Sequence, residues 1–179
     1  MAKEQEITEA PFRNKVAESG ILTLDLAPFI PTDESLVFFD LKPFLFREMI
    51  LREKDFRAAL PEVKWEEYAG KHVALGCSVD AVIPVWAYML ATSFLQPHAA
   101  SVHFTSLDSL KSIIIMEGIS TINRSGYEGQ RVVLKGCGDV AVPAEAYVAA
   151  TAHLRPVVKS LMYGEPCSTV PVYKQSIKR

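Results

Sequence analysis

From His72 to Met162 the chain switches repeatedly between the period of a strand and the period of a helix, and this limits the available folds more than any other feature. HVALGC (His72 to Cys77), SVHFTS (Ser101 to Ser106) and RVVLKGC (Arg131 to Cys137) read as strands. Between and after them, Asp80 to Leu95, Ser106 to Ile122 and Val142 to Met162 read as helices, the second with Leu107, Leu110, Ile114 and Ile115 apolar. Strands joined through helices close as parallel crossovers, so the pattern predicts an α/β fold with a mainly parallel sheet flanked by helices.

The N-terminal third is less regular. ILTLDL (Ile21 to Leu26) and LVFFDL (Leu36 to Leu41) carry strand signals, and Asn14 to Ser19 reads as a short helix closed by Gly20. Phe44 to Leu60 is expected to be helical, because Leu45, Met49, Phe56 and Leu60 fall on one face and the Glu48–Arg52 and Glu53–Arg57 pairs on another. Val170 to Tyr173 reads as an edge strand before a basic tail, Lys174 to Arg179. No Gly/Ser-rich or Pro-rich linker interrupts the chain, so residues 1–179 are expected to form a single domain, with residues 1–60 as a β-containing extension packed on the sheet.

Charge and apolar content narrow the partners. Nineteen Lys and Arg against 21 Asp and Glu leave a net charge of −2, without the basic excess that drives phosphate-backbone binding, so nucleic acid is not an expected partner. The longest mostly apolar stretch, Ala81 to Leu95, contains Pro84 and is too short to cross a bilayer about 30 Å thick. Met1 to Lys15 carries dispersed acidic residues and no apolar run of the signal-peptide kind, so a cytoplasmic location and no membrane partner are expected. Only three cysteines are present, an odd number that fits a reducing compartment better than a disulfide scaffold.

Those cysteines, Cys77, Cys137 and Cys167, share a local context. GCSVDAVIPVWAY (Gly76 to Tyr88) and GCGDVAVPAEAY (Gly136 to Tyr147) match when one gap is allowed, and PCSTVPVY (Pro166 to Tyr173) is a shortened version. Cys77 and Cys137 fall at strand-to-helix junctions, the carboxyl edge where open α/β sheets bind ligands. Pro84 and Pro143 suit a first helical turn, which leaves Asp80, Asp139, a thiolate or an anion to satisfy the free amides there. A thiolate so placed has a lowered pKa. Three converging thiolates, with Asp80, Asp139, a histidine or an external ligand completing the shell, would suit zinc or iron, including an iron–sulfur cluster. Two other readings stand beside this one. A single activated cysteine, Cys77 or Cys137, could serve an α/β enzyme as nucleophile or redox centre, or all three could be inert buried thiols. His72, His98, His103 and His153 show no metal-ligand spacing, and His103, inside a strand, reads as structural. GxGxxG, GxxxxGK[ST] and GxSxG are absent.

LREKDFRAAL, GCSVDAVIPVWAYML, VVLKGCGDVAVPAEAYV and PVVKSLMYGEPCSTVPVYK together resemble the bacterial family catalogued as Domain of Unknown Function 2480, over about Val16 to Lys174. The resemblance implies a small cytoplasmic bacterial protein and carries over no catalytic residue. From the iron–sulfur assembly genes that neighbour such sequences, it implies iron–sulfur assembly proteins as partners.

Overall fold

The computed structural model describes residues 20–136, 138–165 and 168–176. The helix expected at Asn14 to Ser19 lies outside them. The fold is mixed α/β with mostly parallel strands, and the described residues divide into two compact units. In the first, strands β1 (Ile21–Leu24), β7 (Arg131–Lys135) and β8 (Ser160–Glu165) run parallel, and β9 (Ser168–Lys174) adds the antiparallel C-terminal edge strand anticipated at Val170 to Tyr173.

The second unit holds a parallel sheet in the order β2 (Leu36–Asp40), β5 (His72–Gly76), β6 (Ser101–Phe104). Its β5 is buried along most of its length because both faces are covered. Val73 and Leu75 pack with Phe39, with Phe56 of helix α1 (Glu53–Ala59) and with Ala87, Ala91 and Leu95 of helix α2 (Val85–Leu95). Ala74 points the opposite way and is also buried, on the side where helix α3 (Leu107–Ser120) crosses β2 and β5. Helix α4 (Ala144–Leu154) belongs to this unit, where Glu145 accepts a hydrogen bond from Ser112 Oγ and His153 Nε2 meets the Ile122 carbonyl. No helix among the described residues is long and apolar enough to cross a membrane.

Two expected helices are corrected. Within Phe44 to Leu60 only α1 is α-helical; ahead of it the chain makes a short antiparallel hairpin, β3 (Leu45–Phe46) with β4 (Ile50–Leu51). Arg47 and Glu48, both with positive φ, turn the chain between them, a conformation no right-handed helix admits. Backbone bonds from Val82 N to Met49 O and from Leu51 N to Val82 O hold this segment extended, and Met49 lies exposed rather than on a buried face. Likewise, Val142 to Met162 is not one helix. Pro156 cannot donate and disfavours helix at the residue before it, so α4 ends at Leu154 and the chain re-enters a sheet as β8.

The two segments around the cysteines prove to be parts of a longer repeat with a constant spacing and no gap. β5 and β7 begin 59 residues apart, at His72 and Arg131; α2 and α4 begin 59 residues apart, at Val85 and Ala144; and β6 and β8 do so at Ser101 and Ser160. The backbone bonds repeat with the same step. Gly70 N donates to His98 O as Gly129 N does to Val157 O, and Ala100 N donates to Lys71 O as Lys159 N does to Gln130 O. A second repeat precedes it: DLAPF (Asp25 to Phe29), just after β1, and DLKPF (Asp40 to Phe44), starting on the last residue of β2, each enter a 3-10 turn that holds Pro28 or Pro43.

Gly70 and Gly129 test the equivalence. Both sit at positive φ, +69° and +67°, and an added Cβ would meet nothing within 4 Å at either. Alanine at each should therefore cost only the left-handed backbone penalty, about 1 kcal/mol, with the two losses equal in urea unfolding. A loss at one position alone would show that the turns are not equivalent.

Candidate functional site

The carboxyl edge of the β2–β5–β6 sheet is shaped by Asp40, the last residue of β2. Its carboxylate accepts hydrogen bonds from Lys42 N at 2.9 Å, from Ser78 N at 3.0 Å and from Ser78 Oγ at 2.5 Å. One side chain thus fixes both the turn that leaves β2 and the loop that leaves β5. Partial burial pushes the Asp40 carboxyl up, but the bonds from Ser78 and Lys42, with the Lys42 charge, outweigh it and hold the group below the ordinary value of 3.8. A Cβ at Gly76, the last residue of β5, would stand 3.1 Å from the Phe38 ring, which would have to yield by a few tenths of an ångström. Leu41 N donates to Gly76 O at 2.9 Å and closes the same corner.

The loop so held borders an open cleft of about 680 Å³. Cys77, Ser78 and Asp80 come from the loop after β5, Thr105 and Ser106 from the loop after β6, and Phe38, Leu75, Tyr88, Phe104 and Leu107 form largely apolar walls. Cys77 is a free, half-buried cysteine. Ser106 caps α3, accepting from Ser109 N at 3.2 Å, so the N-terminal turn of this 14-residue helix opens at the rim. Tyr88 packs edge-on against Phe104, with ring centroids 4.8 Å apart. Burial, and next the negative charge of a Cys77 thiolate, push the Tyr88 phenol above its ordinary 10.0, so it stays neutral beside the thiol at neutral pH.

Of the residues picked out from the sequence, Cys77 and Asp80 line this one cleft. Asp139 belongs to the other unit and is exposed, while Cys137 and Cys167 lie outside the described residues. Among the described residues no group of three or more His, Cys, Asp or Glu side chains could hold a metal ion. The constant 59-residue step also changes the alignment of the cysteines. Cys77 corresponds to Gly136, and Ser78 to Cys137, so the two Gly-Cys pairs are one residue out of phase. Pro84 is the N-cap of α2 rather than its first helical residue, and its carbonyl accepts from Ala87 N at 2.9 Å.

The first unit is built differently at the corresponding corner. Asp25 of DLAPF accepts from Lys135 Nζ at 2.8 Å, and Tyr163, the counterpart of Phe104, lies across Gly136, with its Oη 3.3 Å from the Gly136 carbonyl. At the opposite end of the second unit's sheet, His72 Nδ1 and His103 Nε2 both meet Ser101 Oγ, at 2.8 and 2.9 Å. Burial and then the His103 charge lower the His72 pKa, against an opposing pull from Glu117. This cluster is internally satisfied, as expected of a structural His103. Asp40, Phe104 and Ser106 belong to the site without standing out by composition, period or cysteine context. The signal for Asp40 was the twice-used DLxPF motif.

A family model described as protein of unknown function, DUF2480, matches residues 10–175. The chain belongs to the DUF2480 family. No curated protein and no solved structure matches it. The site in this DUF2480 chain therefore stands on its own geometry.

Asp40→Asn removes the charge that three donors point at and should cost about 1 kcal/mol at pH 7. A carboxyl with a depressed folded pKa stabilises above its unfolded value and loses that contribution as pH falls through the folded one. The difference between the native protein and Asp40→Asn should therefore shrink below about pH 4. A difference that stays constant from pH 7 to pH 2 would show that the carboxylate does not hold the loop.

Proposed function

We propose that the cleft at the carboxyl edge of the β2–β5–β6 sheet binds a small molecule with an apolar body and presents it to the Cys77 thiol, so that the protein acts as a thiol-dependent α/β enzyme. The observation that carries this reading is the placement of one half-buried cysteine in an apolar-walled cleft of about 680 Å³, on a loop fixed by Asp40. Phe38, Leu75 and Phe104 supply the apolar contact. The neutral Tyr88 phenol lines the same cleft and offers a donor, and α3 begins at its rim.

A second reading has its own support. Cys77 and Asp80 line the same cleft, offering a thiolate and a carboxylate as donors for zinc or iron in a protein that serves iron–sulfur assembly in the cytoplasm.

Competing alkylation separates the two readings. N-phenylmaleimide adds its alkene carbon to the thiolate and takes up one proton at the neighbouring carbon; iodoacetate is small and charged. The enzyme reading predicts that Cys77 in the native protein prefers N-phenylmaleimide over iodoacetate at least tenfold more strongly than it does in urea, and that Leu107→Asp abolishes the preference. An unchanged preference sinks it. The metal reading predicts about one equivalent of zinc or iron in anaerobically purified protein, lost in Cys77→Ser, with both reagents slowed until a chelator is added.

A further inference from the structure

The repeat allows one half of the chain to be used as a guide to the other. In the first unit the outer edge of β8 is covered by an antiparallel strand, β9, paired from Ser160–Lys174 to Glu165–Ser168. β6 is the counterpart of β8 at the 59-residue step, yet it is terminal in its sheet, and among the described residues no backbone bond extends from its outer side.

Two features bear on this open edge, the first of which β1 (ILTL) and β2 (LVFFD) share at the other ends of the two sheets. β9, which also ends its sheet, carries Pro171 and Lys174, residues that discourage further pairing. β6 reads Ser-Val-His-Phe, with no lysine, no proline and no bulge. The edge is also flanked on the α2 side by exposed apolar side chains: Phe104 is 75% exposed, Val85 75% and Met89 67%. With Tyr88 and Val102 these line an open groove of about 570 Å³.

We propose that β6 pairs antiparallel with β6 of a second copy of this chain, giving a two-fold dimer with one continuous six-stranded sheet. Antiparallel pairing of a strand with itself is two-fold symmetric by construction, so a single patch serves as both halves of the interface. Side chains directly opposite each other share a face, so the axis must pass through a residue facing its own copy, Val102 or His103, and not between them. With the axis at His103, Val102 of each chain lies opposite Phe104 of the other on the α2 face, beside the exposed Val85 and Met89 of both chains. The precedent on β8 argues for a strand as occupant, and the self-complementary, uncharged edge argues for this chain as its source.

Sedimentation equilibrium of the full chain at 1–100 µM tests this. The expected result is a species of about 40 kDa, twice the 19.8 kDa chain. Met89→Lys with Phe104→Lys should weaken association at least tenfold while leaving the circular dichroism spectrum and a cooperative thermal transition of a folded protein, at a lower midpoint, since both side chains are exposed. Val172→Lys, on the exposed face of β9, should leave the dimer intact. A monomer at 100 µM overturns the proposal, as does a dimer that survives the paired lysines or is lost in Val172→Lys. A monomer whose Ser101 to Phe104 amides resist hydrogen exchange overturns it too, because the chain itself would then cover the edge.

Discussion

The carboxylate of Asp40 is the contact on which the site depends. A parallel sheet brings the carboxyl ends of its strands together but leaves the loops beyond them without ladder partners. In the second unit one side chain supplies that missing order. It binds its own turn through Lys42 N and the neighbouring loop through Ser78 N and Oγ, so Cys77 lies between the last residue of β5 and a serine bound by Asp40. Gly76 lies close to the Phe38 ring, and the cleft opens beyond it. Removal of the Asp40 charge would leave the strands paired and the core packed while freeing the loop that carries the thiol.

A repeated framework carries two different corners. The 59-residue step preserves what backbone geometry demands: positive φ at Gly70 and Gly129, the alanines and leucine that α2 and α4 bury, and the serines that open β6 and β8. It does not preserve chemistry. Where one unit has Asp40 bound to a serine and Phe104 standing clear of the loop, the other has Asp25 bound to Lys135 and Tyr163 laid over Gly136. Packing requirements at buried alanines and tight turns constrain both copies alike, whereas loop residues beyond the strand ends are free to diverge.

Much of this was legible in the sequence for a physical reason. Strands β5, β6 and β7 and helices α2 and α3 advertise themselves because tertiary packing agrees with local period. In the segment from Phe44 to Leu60 and in the chain after Pro156, tertiary pairing overrides that period: Leu51 bonds to Val82, and Ser160 enters a ladder with Arg131. Within the site, the strand-to-helix junction marks Cys77, and the free amides expected at the helix start mark Asp80. Neither marks Asp40, because its role is to reach a serine 38 residues away, and periodicity is blind to such partners. The apparent kinship of Cys77 and Cys137 came from a short match with a gap, which the constant backbone step removes.

The central claim is that the carboxyl edge of the β2–β5–β6 sheet is where this protein meets its ligand. A crystallographic screen of several hundred small fragments tests it most directly. Fragments with an apolar ring and one polar group should collect between Tyr88, Phe104 and Leu107 within reach of Cys77, and should be lost from Asp40→Asn crystals. Fragments that collect elsewhere and leave that cleft empty would contradict the account.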